Sequence, residues 1–272
     1  MLDFGLNQVT MSEVPLGDFL DAAAQLGCVG VELRNDLGRS MFDGAPARDV
    51  RGQVKDRGLR LLGLSEIYPI NRWSDKIEDE LRALIEVAIE AGAETINLIP
   101  CNDGSGTDVQ TRRDDLDQAI AGCLPVLKDA GVIALIEPLG FERSSLQLKS
   151  ELIDSIDRMG ATGSIKIVHD TFHHTLAGEA DMYSSQTGIV HISGVSTATL
   201  PIAQMEDKHR GLIDGQDRLD NLGQIKSLND AGYTGVFSFE CFATEVRNHP
   251  HPKEAIQRSI DFISSRTQQM AA

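Results

Sequence analysis

Four ionisable residues stand at the ends of successive β-rich runs in the second half of the chain: Glu137 in ALIEP, Asp170 in KIVHD, His191 in GIVHIS and Glu240 in FSFEC. Three carboxylates brought together repel one another unless a cation sits among them. With one imidazole added, the donor set suits a divalent ion on the harder side, Mn2+ first, with Mg2+, Co2+ or Zn2+ as alternatives. No thiolate accompanies them, which argues against a purely structural zinc. One carboxylate at a strand end needs no function beyond capping the next helix. Four at successive ends are harder to explain that way, because neighbouring strands lie about 4.8 Å apart and their inward ends converge on the axis of a closed barrel.

A second pattern competes for attention. Residues 169–173 read His-Asp-Thr-Phe-His, close to H-E-x-x-H, in which two histidines four apart on a helix hold zinc. The run SIKIVHD (164–170) is β-branched and follows a glycine-bearing turn, so it reads as a strand. Successive strand residues face opposite sides. If Asp170 points inward, His169 points outward as a packing residue, and His173 and His174 fall in a loop above the strand. The zinc-protease reading fails on that geometry.

The elements that must position these residues follow one cadence: a helix-like stretch ends in glycine and a short Val/Ile/Leu-rich run follows, as in VAIEAGAETINLIP and LKDAGVIALIEP. Glycine past a helix end supplies a left-handed cap, and a continuous apolar run suits a strand buried on both faces. Eight strands are predicted, at about 2–8, 28–34, 59–65, 94–100, 132–138, 164–170, 188–193 and 235–241, with amphipathic helices between them such as 73–92. That count predicts a closed (β/α)8 TIM barrel, one domain over residues 1–272. Strand one ends near Asn7 and strand two near Arg34, both placed to face a substrate at the barrel mouth; Arg34 suits an external ion pair equally well. The irregular stretch 194–220 is long enough to suggest a functional loop.

A net charge of −16 disfavours nucleic acid and anionic membranes as partners. There is no run of about 18 apolar residues and no leader-like start, so a cytoplasmic protein is expected, and a homo-oligomer is compatible with this. Cys28, Cys101, Cys123 and Cys241 lack C-x-x-C spacing and read as reduced core thiols.

The order Glu-Pro, Asp-x-x-His, His, Glu on the last four strands resembles the xylose-isomerase-like sugar isomerase and epimerase superfamily of TIM barrels. Within it the chain is most similar to the 2-keto-myo-inositol (inosose) isomerases, through GLNQVT, VELR, IEPLG, DTFHHTLAG, EDKHR and FSFECF. The resemblance implies that Glu137, Asp170, His191 and Glu240 hold one divalent metal. It further implies that Glu137 and Glu240 are the catalytic acid/base pair, and that His173 and Arg210 bind oxygens of a ketose or keto-inositol substrate. A metal-stabilised enediolate would connect substrate and product. A lyase or dehydratase acting on a keto-inositol or keto-glycoside would start with the same proton abstraction. Apurinic endonucleases of the superfamily need further histidines at the ends of strands three and four, where this chain reads LSEIYP and LIPCND. The intact glutamate pair argues against a barrel that only binds a sugar. One departure falls at 214–217, where DGQD replaces the Pro-Gly-x-Gly of related enzymes.

Overall fold

Helices stop where the glycine cadence predicts. In the computed structural model, which describes residues 2–271, the Ser74 hydroxyl accepts from the Ile77 N–H at 3.4 Å and opens a helix over Asp75–Ala91; Gly92 closes it at φ 75°. Gly131, φ 67°, closes Val109–Ala130 in the same way. A side chain at either glycine would strain the left-handed turn that redirects the chain into the next strand.

In chain order the elements are β1 (Phe4–Asn7), α1 (Leu16–Gln25), β2 (Gly30–Arg34), α2 (Ala47–Asp56), β3 (Arg60–Ile67), α3 (Asp75–Ala91), β4 (Thr95–Leu98), α4 (Val109–Ala130), β5 (Ile133–Ile136), α5 (Lys149–Arg158), β6 (Ile165–Asp170), α6 (Thr171–Ala177), β7 (Thr187–Ile192), α7 (Asn221–Asp230), β8 (Phe237–Phe239), α8 (Thr244–Arg247) and α9 (Pro252–Ala271). All strand pairs are parallel and β8 returns to β1, closing the expected (β/α)8 TIM barrel. Most strands are shorter than predicted by a few residues, so Glu137 and Glu240 lie one residue beyond β5 and β8.

Inside the barrel, side chains two residues apart climb from an apolar floor to a polar mouth. Leu62, Leu135, Val168, Ile189 and Val236 form the floor. Two residues further along β5, β6 and β7 stand Glu137, Asp170 and His191, while β8 steps from Val236 through Ser238 to Glu240. On β2 the same alternation brings Glu32 and Arg34 inward, all of that strand being buried. The larger apolar core lies outside, between strands and helices, and includes Phe19, Leu20, Leu33, Leu81 and Ile120. All four cysteines are buried and free. Burial pushes Cys28, Cys123 and Cys241 up to about 12, as inert core thiols require.

Two local expectations change. His173 and His174 do not lie in a loop: β6 passes directly into α6, and Asp170 caps that helix, its Oδ1 accepting from the N–H groups of Phe172 and His173 at 2.8 and 2.9 Å. The continuous β-branched run hid the cap, since Asp followed by Thr reads equally as strand end or helix start. The stretch 194–220 is irregular as predicted, but it is pinned: Gly194 and Gly211 exchange backbone hydrogen bonds of 2.8 and 2.7 Å. Among the described residues no helix is long and apolar enough to cross a membrane.

The loop after β5 presses against α6 at Gly140, where an added Cβ would lie 2.1 Å from the His173 carbonyl oxygen and 2.8 Å from the Ala177 nitrogen. Backbone on both sides cannot yield cheaply. Gly140→Ala is therefore expected to cost about 2 kcal/mol or more in denaturant unfolding; a loss under about 0.5 kcal/mol would contradict this packing.

Candidate metal and catalytic centre

The predicted quartet converges. One donor atom from each of Glu137, Asp170, His191 and Glu240 lies within 4.8 Å of the others, and all four residues are buried. His191 Nδ1 is 3.3 Å from Glu240 Oε2 and 3.8 Å from Glu137 Oε1. Neither that nitrogen nor Glu137 Oε1 has a hydrogen-bond partner. Buried lone pairs left unmatched cost on the order of 1–3 kcal/mol each, and here they face a common point among carboxylate oxygens. That arrangement fits a cation, and no other group of this kind occurs among the described residues.

Asp170 divides its two oxygens. Oδ1 caps α6, and Oδ2 accepts from Arg210 Nη2 in the centre. Asp170 therefore both caps α6 and reaches the quartet.

Arg210 and Arg34 flank Glu240. Arg210 donates from Nη2 to Glu240 Oε2 at 2.8 Å, from Nη1 to Asp207 at 3.2 Å and from Nε to Ser193 at 3.1 Å. Arg34 donates from Nη1 to Glu240 Oε1 at 3.0 Å, to Asp36 from Nε and Nη2 at 2.7 Å each, and to Glu66 at 3.3 Å. Both guanidinium groups lie near the Phe242 ring, at 4.8 and 5.7 Å from its centroid. Arg34 thus does both: it reaches Glu240 in the barrel interior and pairs with the exposed Asp36 at the rim. An arginine has five N–H groups, and each of these directs four at the protein. Asn7 joins them: its Nδ2 donates to Glu240 Oε1 at 3.1 Å while its Oδ1 accepts from the Val9 N–H at 3.2 Å.

The two glutamates consequently sit in opposite surroundings. Burial pushes Glu137 up, and with the neighbouring charge of Glu240 it reaches about 7. Burial acts on Glu240 too, but the charges of His191, Arg210 and Arg34 outweigh it and hold that carboxyl well below the usual range. For His191, burial opposes protonation, but the charges of Glu240 and Glu32 overcome it and hold the ring well above the usual imidazole range.

The histidines of the His-Asp-Thr-Phe-His segment separate by face. His173 Nε2 reaches to 4.0 Å from Glu137 Oε1 and 3.9 Å from Asp207 Oδ1, packed edge-on against Phe141 and Phe172. Burial lowers it to about 4, so it is neutral. His169 points away to the helix layer, as expected, with Nδ1 3.1 Å from Lys149 Nζ and Nε2 3.0 Å from Gln224 Oε1. His174 stacks beside it at 4.8 Å and leaves the centre alone. Phe172 is fully buried, and Trp73, partly buried, packs over Gly122 on α4. Tyr68 alone is exposed at the rim.

Three residues escape a reading by strand ends. Glu32 lies one layer below the mouth, and its Oε2 accepts from His191 Nε2 at 3.0 Å. Asp207 reaches the centre from the pinned loop, within 3.9 Å of His173. Glu66, on β3, lines a groove of about 600 Å³ with Asp36 and Tyr68. Glu32 had a signal, being two residues before Arg34 on a strand whose alternation points both inward.

With this geometry the relationship to known proteins is direct. The xylose isomerase-like TIM barrel family matches residues 20–266, and the chain belongs to that family. A xylose isomerase domain-containing protein from Salmonella typhimurium LT2 is 26% identical, with a TM-score of 0.87 over 98% of this chain and 97% of that one. The IolI protein, solved with a zinc atom bound, is 18% identical with a TM-score of 0.81, covering 98% of this chain and 99% of its own. L-ribulose 3-epimerase is 19% identical with a TM-score of 0.71, covering 99% and 95% respectively. The last two likenesses show a common fold. No curated protein matches the chain.

Two outcomes are expected. Adding Mn2+, Co2+ or Zn2+ to chelator-treated protein should raise the melting temperature by about 5 °C or more near a hundredfold excess over Kd. Asp170→Asn, which keeps a capping oxygen, should lose most of that rise; no response to any of the ions would contradict a cation centre. The second concerns Glu66. Burial pushes it up, Arg34 pulls it down, and Asp36 and Glu240 add to the rise, leaving it at about 7 against an ordinary 4.5. The folded state thus binds the proton more tightly, so this stabilisation is full below pH 4.5 and is lost as pH rises through about 7. Glu66→Gln should gain on the parent by roughly 2–3 kcal/mol in unfolding free energy between pH 4 and 8; a pH-independent difference would contradict this.

Proposed function

We propose that the protein is a divalent-metal-dependent isomerase or epimerase acting on a ketose or keto-inositol, with the inosose isomerases as the branch its motifs resemble. The reading rests on one observation: four buried donor atoms within 4.8 Å of one another, two of them without a hydrogen-bond partner. Glu137, Asp170, His191 and Glu240 would hold the ion, with Mn2+ favoured by three oxygen donors and Zn2+ by the precedent of the IolI protein. A divalent ion held there polarises a carbonyl and the hydroxyl beside it, which acidifies the intervening C–H.

The remaining work falls to the chain's own groups. Glu137 and Glu240 come from β5 and β8, across the barrel from each other, so one carboxylate can take the proton from carbon while the other returns it to the neighbouring carbon or to the opposite face. Glu240 is kept ionised by three donors, Asn7, Arg34 and Arg210. Glu137 has none at Oε1 and is free to gain or lose a proton there. His173, neutral and beside Glu137, would donate to or accept from a substrate oxygen. The one uncommitted N–H on each of Arg34 and Arg210 would anchor further hydroxyls.

An unphosphorylated substrate suits the electrostatics. The carboxylates of Asp36, Glu66, Glu137, Asp170, Asp207 and Glu240 outnumber the two arginines around the mouth, and a phosphate would meet that excess. Nucleic acid is disfavoured on the same ground.

The test is solvent exchange. Incubating metal-loaded protein with ketoses and inososes in D2O should place deuterium on the carbon beside the carbonyl, read by NMR. Glu137→Gln and Glu240→Gln should each slow exchange at least about a hundredfold with the fold intact. Near-parental rates in either variant would sink the acid/base assignment, and a dehydrated product would move the protein among the lyases.

A further inference from the structure

Glu32 is a fully buried carboxylate inside the barrel that substrate cannot reach and the proton transfers do not use. Such a group is costly to bury unless it is fully satisfied, and here it is. Its Oε1 accepts from Ser238 Oγ at 2.5 Å. Its Oε2 accepts from His191 Nε2 at 3.0 Å and from Asn97 Nδ2 at 3.3 Å. Asn97 is steadied in turn by Ser65 Oγ at 2.9 Å. Strands β3, β4, β7 and β8 therefore all contribute to holding one carboxylate against the far side of one imidazole.

We propose that Glu32 is the positioning residue of the centre: it holds the His191 proton on Nε2 and the ring in plane, so that Nδ1 is the nitrogen a cation takes. The inference rests on the reading that the quartet holds a metal. A neutral imidazole carries one N–H, and the acceptor it meets decides which nitrogen keeps it. Carboxylates face both ring nitrogens; a cation among the quartet replaces the proton at Nδ1, and the Glu32 bond holds the one at Nε2 and sets the ring plane. The carboxylate charge also makes Nδ1 a stronger donor than a neutral acceptor would. Aliphatic side chains would fill this layer at less desolvation cost, so the charge is explained by what it does to His191.

The experiment measures binding of Mn2+ or Zn2+ alone to the full chain by competition with a chromogenic chelator, together with 15N NMR of the His191 ring. The parent should bind one ion, and its Zn2+-loaded form should keep the proton on Nε2 with the Nδ1 resonance shifted by the metal. Glu32→Gln should weaken binding about tenfold and Glu32→Leu about a hundredfold, the latter with the Nε2 proton of the Zn2+-loaded form exchanging faster with solvent. Ser238→Ala, which loosens Glu32 and leaves every ligand in place, should weaken it a few-fold and covers the case in which Glu32→Leu does not fold. In a His191→Ala background, Glu32→Gln should have no added effect, which a merely structural role would not produce. Parent-like affinity in a folded Glu32→Gln would overturn the positioning role while leaving the metal centre standing. A parent that binds no ion would overturn both.

Discussion

The structure is organised around the mutual repulsion of buried carboxylates. Two carboxylates 4 Å apart repel by about 4 kcal/mol at an effective dielectric of 20, and Glu137, Asp170 and Glu240 crowd within 4.8 Å together with His191. Everything near them answers that repulsion. Arg34 and Arg210 clamp Glu240 from either side, Asn7 adds a third donor, and the cap of α6 absorbs one oxygen of Asp170. Glu137 Oε1 and His191 Nδ1 are what these groups leave unanswered, and a divalent cation is the species that would answer both.

The barrel makes the crowding affordable by separating support from chemistry. Its apolar floor and outer core bury most of the aliphatic side chains, so the charged mouth need not stabilise the fold. Alternation along each strand lifts the functional groups two residues above that floor, and parallel closure aims them at one axis. The pinned loop between β7 and α7 then supplies Asp207 and Arg210, with Arg210 buried against the Phe172 and Phe242 rings.

Much of this was legible in the sequence, for reasons that particular residues show. The helix-stop glycines and the continuous β-branched runs report local backbone chemistry, so the eight strands and the barrel follow from short windows. Glu137, Asp170, His191 and Glu240 were readable because period-two alternation on a strand leaves little choice of direction. Contacts between distant segments were not: that Arg210 closes on Asp170 and Glu240, or that Glu32 lies behind His191, depends on barrel stagger and on a 27-residue irregular stretch (194–220) with no periodicity to read. His173 and His174 read as loop because the helix that carries them is only seven residues long, too short for a 3.6-residue pattern to emerge.

The central claim is that the quartet is a cation site, and anomalous diffraction from crystals soaked in Mn2+, recorded on both sides of the metal's absorption edge, tests it most directly. The account predicts one strong peak per chain, bounded by Glu137, Asp170, Glu240 and Nδ1 of His191, with the His191 Nε2 bond to Glu32 retained. A peak only elsewhere on the surface, or none at the quartet at saturating Mn2+, would contradict it.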